Sequence, residues 1–170
     1  ERSLVLLDGG KPQMAVTRLR DLVPKIQDLI RSGSLESGER AEARSFLVRA
    51  RIALGDALAA KDGAQAARPY WESLLRDPAV GAEVQAASLI GQAQAAEESG
   101  KPREAQLLLA RVVATLPATP SIQARALFRL GEVCRALKNS PVKGETYLRQ
   151  VVDSYPNTIW AARARKELGQ

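Results

Sequence analysis

The segment GKPREAQLLLARVVATLP, residues 100–117, has a partial twin in GKPQMAVTRL, residues 10–19. Each places Gly-Lys-Pro before two further residues, then an Ala and, four positions later, a Leu. Gly and Pro interrupt regular structure, and Pro is tolerated at the first position of a helix because its missing N–H has no partner there. An Ala and a Leu four residues apart lie on one helical face. The twin therefore reads as a turn that starts a packed helix, and its recurrence calls for a search at fixed offsets.

That search finds a repeat. Pro78, Pro117 and Pro156 recur at a constant period of 39. Twelve positions before each stands a small residue, Ala66, Ala105 and Gly144, and eight before each a large one, Tyr70, Leu109 and Leu148. Five before each come Ser73, Val112 and Val151. Steps of four and three trace one face of a helix, which the proline then stops because it lacks an N–H and clashes with the preceding turn. Each block thus ends in a helix of about 14 residues, preceded by the breaker clusters KDG, SGKP and KNSP, with Pro102 and Pro141 at first helical positions.

Upstream of each breaker is another amphipathic stretch, at 37–60, 80–98 and 119–138. In the last, Leu127, Leu130, Gly131 and Cys134 form a stripe, with Thr119 as N-cap and Pro120 at the first position. In the middle one, Ala87, Ile90 and Gly91 match the first three positions of that stripe. Glycine inside a helix costs about 1 kcal/mol relative to Ala, so Gly91 and Gly131 imply a compensating close approach of neighbouring helices.

The ends read as fractions of the same unit. Residues 2–8, RSLVLLD, have the look of the last turns of a first helix, and the start at Glu1 marks a processed chain or a piece of a longer one. A kink or break is expected at Pro24, followed by a polar linker, so that residues 24–39 form an irregular joint. At the other end Asn157 or Thr158 caps a last helix whose Trp160, Ala164 and Leu168 cover the final hairpin.

These residues resemble the tetratricopeptide repeat. Leu127, Leu130, Gly131, Cys134, Gly144, Leu148, Val151 and Pro156 fit its eight signature positions, with one extra residue in the turn. The middle block fits through Ala87, Ile90, Gly91, Ala105, Leu109, Val112 and Pro117, with polar Gln94 at a large position. The first keeps only Ala66, Tyr70 and Pro78, and its first helix departs from the pattern. The period of 39 exceeds the family's 34 and approaches that of HEAT repeats, but the constant interval of 12 from small residue to proline favours the tetratricopeptide side.

The resemblance implies an all-α fold, a right-handed superhelical stack of antiparallel helix hairpins, in a single domain over 1–170. It comprises a partial N-terminal hairpin at 1–32, repeats at about 40–78, 79–117 and 118–156, and a capping helix at 157–170. The C-terminal stretch YPNTIWAARARKELGQ also resembles the tails of bacterial repeat proteins, envelope proteins among them, which implies an envelope or cytoplasmic setting.

Composition excludes most other classes. The chain is 45% hydrophobic, rich in Ala and Leu, with seven aromatics, a balance that favours helices and leaves no alternating strand pattern. No apolar run approaches the roughly 20 residues of a membrane span. With no His and one Cys, there is no imidazole base, no Cys-His pair and no disulfide within the chain; Cys134 reads as a buried structural thiol. No metal site, cofactor site or catalytic constellation is expected, and the chain is not read as an enzyme. The +6 net charge comes from 25 basic residues interspersed among 19 acidic ones, not from a polybasic arm.

Function is therefore expected on a surface. The first helices of such a stack line a concave groove able to take a peptide or partner helix. Candidate groove residues are Arg44 and Arg51, seven apart on one face; a neutral polar row, Gln85, Ser88 and Gln92; and Arg125, Phe128, Arg129 and Glu132 off the core stripe. By resemblance, Arg125 and Arg129 stand where chaperone-binding members hold a C-terminal carboxylate, but Gln92 and Glu132 occupy the Asn positions and acidic Glu132 opposes that clamp. Solvated arginines partnered by Glu132 and a groove for acidic or mixed peptides both fit the pattern. Of the adjacent Tyr70 and Trp71, Tyr70 holds the signature position, which leaves Trp71 for an inter-repeat surface or an exposed contact. The leading reading is a scaffold binding a protein or peptide, or assembling its own full-length chain; the alternative is a nucleic-acid-binding module with an Arg-rich face.

Overall fold

The computed structural model describes residues 11–137, 140 and 142–170. Among these the chain is all-α, without a strand: α1 (Pro12–Arg31), α2 (Ser37–Asp62), α3 (Ala64–Arg76), α4 (Ala82–Glu98), α5 (Pro102–Thr115), α6 (Pro120–Ala136), α7 (Gly144–Ser154) and α8 (Ile159–Glu167). Residues 2–8 and Pro141 lie outside the described residues, and α7 begins at Gly144.

Both copies of the opening motif do the same physical work at their helix starts. Lys11 and Lys101 cap α1 and α5 with nearly equal backbone angles, φ −114° and ψ 59° against φ −112° and ψ 61°, and the prolines take the first turn. Four residues beyond each Lys, the Ala15 and Ala105 amides return to the cap carbonyls at 3.2 Å. Gly100 also closes α4. Its φ of +68° lets the Lys101 amide reach the Ala96 carbonyl and its own amide reach Glu97, satisfying carbonyls that a helix end leaves open.

Helices adjacent in sequence pack together, and α2 also touches α4, α4 touches α6, and α6 touches α8. The core follows this order in three clusters, one spanning α1 to α4, one α4 to α6 and one α6 to α8. Cys134 is buried in the second. Ala161 and Ala164 of α8 are buried in the third, with Trp160 and Leu168 packed against them. The Thr158 hydroxyl caps α8 by accepting from the Ala161 amide at 3.2 Å.

Three sequence expectations are corrected here. There is no break at Pro24, because α1 runs through it to Arg31. Pro24 is exposed, while Ala15, Val16, Leu19, Val23 and Ile26 form a continuous buried stripe. Packing of that stripe carries the helix past one lost hydrogen bond on its wet side. The joint is consequently short, residues 32–36, and is tied by Arg40 donating to the Leu35 carbonyl at 3.0 Å. Thr119 holds the cap position of α6, but its hydroxyl makes no cap bond and donates instead to Glu83 at 3.0 Å.

The third correction concerns the first repeat. Ala66 and Ser73 are exposed and Tyr70 only half-buried, whereas Ala67, Trp71 and Leu74 are buried, one residue later than the proline-anchored count. Trp71, 1% exposed, lies between α2 and α4 in a slot left by two glycines. A methyl group on either Gly55 or Gly91 would overlap its indole ring. The slot also supplies the missing first-helix signature: Leu54, Gly55 and Leu58, all buried, correspond to Leu130, Gly131 and Cys134. Tyr70 faces the slot's edge, where its hydroxyl donates to the Arg51 carbonyl at 2.8 Å and burial holds its pKa above the usual phenol value.

In the last repeat the close approach is between backbones. A Cβ on Gly144 would overlap the Gly131 carbonyl oxygen and stand 2.9 Å from the Arg135 amide nitrogen. Neither group can rotate away, so Gly144→Ala is expected to force α6 and α7 apart and cost about 1–3 kcal/mol in urea unfolding. Gly38→Ala, where a Cβ meets nothing within 4 Å, is expected instead to stabilise by up to about 1 kcal/mol. Equal midpoints for the two variants would contradict the packing argument.

Candidate partner-binding groove

Helices α4, α6 and α8 present side chains to a cleft of about 420 Å³ between them. Ile90 and Gln94 come from α4; Arg125, Phe128, Arg129 and Glu132 from α6; Trp160, Arg163, Lys166 and Glu167 from α8. On α6 the residues step by three, one and three, so successive turns deliver guanidinium, ring, guanidinium and carboxylate to one wall. The stripe Trp160, Arg163, Lys166 does the same on α8, again at spacings of three.

Both arginines of α6 are already engaged. Arg125 reaches back to α2 and makes two parallel bonds to Asp56, Nη1 to Oδ2 at 2.9 Å and Nη2 to Oδ1 at 2.8 Å, with side chains 20% and 33% exposed. Burial works against the Arg125 charge, but the attraction and hydrogen bonds of Asp56 outweigh it and raise its pKa. Arg129 uses Nη2 on both Glu97 oxygens, at 3.0 and 3.1 Å, and Nη1 on Glu132 at 3.0 Å. Burial pushes the Glu97 carboxyl above the usual carboxylate range, with Arg129 pulling against it.

The floor is apolar. The Phe128 and Trp160 ring centres lie 5.5 Å apart with planes tilted by 42°, and the Arg163 guanidinium carbon sits 4.8 Å from the Trp160 ring centre. Arg125 approaches the same ring at 5.9 Å, so cations and an aromatic face reinforce one another.

The other candidates lie elsewhere. Arg44 and Arg51 line a separate cleft of about 450 Å³ between α1, α2 and the α3–α4 connection. There Arg51, 12% exposed, pairs with Asp77 at 3.4 Å, and Arg44 is exposed. The row Gln85, Ser88 and Gln92 does not form an open surface. Ser88 is fully buried and donates to the Val84 carbonyl at 2.7 Å, because α4 is covered on almost every side by its neighbours. Gln85 holds the Val80 carbonyl at 2.9 Å and so fastens the loop before α4, while Gln92 is half-exposed.

Sequence reading missed the contribution of α8, which it treated as a cap, and the acidic partners Asp56 and Glu97. Spacing alone could have found the α8 stripe; no local pattern reveals that Asp56 meets a residue 69 positions away. The described residues contain no group of three or more His, Cys, Asp or Glu placed to hold a metal ion, and no described helix is long and apolar enough to cross a membrane. No family model, curated protein or solved structure matches this chain.

Proposed function

We propose that the chain is a tetratricopeptide-like α-solenoid whose even-numbered helices line a groove for a peptide or a segment of a partner protein, and that it works as a non-enzymatic scaffold. The observation that carries this reading is the cleft spanning α4, α6 and α8. Three helices distant in sequence converge there on an apolar floor with charged walls. Its volume lies within the roughly 300–1,000 Å³ of ligand sites. The Arg129–Glu97 pair holds the α4–α6 wall before any ligand arrives, which lowers the ordering cost of binding. Contacts of α2 with α4, α4 with α6 and α6 with α8 support the stacked arrangement, since first helices of successive hairpins must meet in such a stack.

The test is selection of a displayed random-peptide library on the immobilised chain, followed by mapping of enriched peptides through amide chemical shifts. Perturbations concentrated on α4, α6 and α8 are the expected result. Enrichment that maps to the odd-numbered helices, or no enrichment at all, would overturn the proposal.

A further inference from the structure

Arg125 and Arg129 spend their charge inside the protein, on Asp56, Glu97 and Glu132. Glu167 is likewise engaged, by Arg135 at 2.9 Å. Arg163 and Lys166 differ. Both line the cleft, both are exposed, and neither makes an ion pair among the described residues. They stand three apart on α8, one turn and two turns beyond Trp160, so a single stripe offers an aromatic edge and two uncommitted cations.

We infer that this α8 stripe is the anion-reading edge of the groove, and that the occupant is an acidic peptide segment with a small apolar side chain, its carboxylates on Arg163 and Lys166 and its apolar group against the half-buried Trp160, which the buried Phe128 supports from beneath. The inference rests on the groove reading above and names the ligand chemistry of that site. Charge complementarity supports it at two scales: two free cations at the rim, and a net charge of +6 that favours encounter with acidic partners. The position of Arg163 also matters. A guanidinium stacked on an indole keeps its N–H edges free for a carboxylate while the ring fixes its orientation, so less side-chain freedom is lost on binding.

A nucleic-acid strand fits the same surface poorly. Base stacking needs an open aromatic face, but Trp160 has Phe128 packed against it and Arg163 over its ring.

The chain carries its own reporter, because it has two tryptophans, one buried between Gly55 and Gly91 and one in the cleft. The probe is a short peptide of Glu and Asp with one central Leu, capped at both ends so that no terminal carboxylate contributes. Titrated into isotope-labelled protein, it is expected to move the Trp160 indole N–H resonance saturably and leave that of Trp71 in place. Arg163→Glu with Lys166→Glu is expected to weaken binding at least tenfold, and Arg163→Gln with Lys166→Gln by a smaller factor, with circular dichroism unchanged because both positions are exposed. An unmoved Trp160 resonance, undiminished affinity in the Glu variant, or displacement of the peptide by a single-stranded oligonucleotide would each overturn the inference. The two readings fail separately: library peptides that map to the cleft but bind the Glu variant as well as the parent would refute the acidic ligand and leave the groove standing, whereas library peptides that map to the odd-numbered helices would refute the groove itself.

Discussion

Trp71→Ala is expected to lower the unfolding free energy by about 3–5 kcal/mol, the usual loss for a buried Trp, and the melting temperature by roughly 6–20 °C. The cost is at the high end for this chain because the ring fills a slot shared by α2, α3 and α4, and helices with glycines at the interface have no side chains with which to collapse into the void. Trp71→Phe separates two terms. The indole Nε1 is buried without a hydrogen-bond partner, a condition that costs about 1–3 kcal/mol. Phe keeps most of the ring and removes that donor, so its net loss is expected to be under half that of Ala. A Phe variant as unstable as the Ala variant would show that the N–H is satisfied.

The glycines supply the complementary measurement. Gly91→Ala gains about 1 kcal/mol of helix propensity. It also places a methyl group in the indole, and overpacking of this kind typically costs about 1–3 kcal/mol. The clash wins while Trp71 is present. In a Trp71→Ala background the atoms nearest the added methyl are gone, so the same substitution is expected to become neutral or stabilising. That reversal of sign in chemical denaturation is the signature of a direct contact; additive effects would place the indole elsewhere.

This slot also shows where the sequence was legible and where it was not. The helices at 102–115 and 120–136 could be read because breakers, prolines and apolar steps agree with one another. The first repeat misled because Pro78 follows the buried Ala67 by one position fewer than Pro117 follows Ala105, which shifts every anchored position by one and exchanges Tyr70 for Trp71. The better marker was the pair Leu54-Gly55, repeated as Ile90-Gly91 and Leu130-Gly131, since a mid-helix glycine is tolerated only where something must come close. Those pairs recur at unequal intervals, 36 and then 40, so a search at one period passes over them. Pro24 misled for a different reason: a local rule about prolines was outweighed by the tertiary burial of Leu19, Val23 and Ile26.

Among the groove candidates, chemistry was legible and connection was not. Arg125, Phe128, Arg129 and Glu132 do share one cleft, because all four sit on a single helix whose periodicity fixes them. Their partners come from three other helices, and only packing decides that Arg125 meets Asp56 while Arg163 is left to solvent. In the proposed groove the cations without an internal ion pair among the described residues are therefore those of α8, Arg163 and Lys166, and not the α6 arginines. An arginine held by two internal bonds gives up that pairing before it can take an external carboxylate, and a free one does not.

Asp56→Ala tests this division of labour, with two readouts expected to move in opposite directions. Removing the carboxylate leaves Arg125 one-fifth exposed with no counter-charge, and breaking a fully buried pair costs about 3–5 kcal/mol. Because both side chains retain some access to water, about 2–3 kcal/mol is the expected loss of stability. Asp56→Leu combined with Arg125→Met is expected to recover most of it, since two apolar groups of similar size need no compensation. Binding of the acidic probe behaves differently. In Asp56→Ala the released Arg125 lies beside Trp160 and adds a third uncommitted cation to the cleft, so affinity is expected to rise as stability falls. In the Leu and Met pair, affinity is expected to return to that of the parent, because Arg163 and Lys166 are intact. A parallel fall of stability and binding in Asp56→Ala would mean that the ion pair itself shapes the ligand site and that the α8 stripe does not act alone.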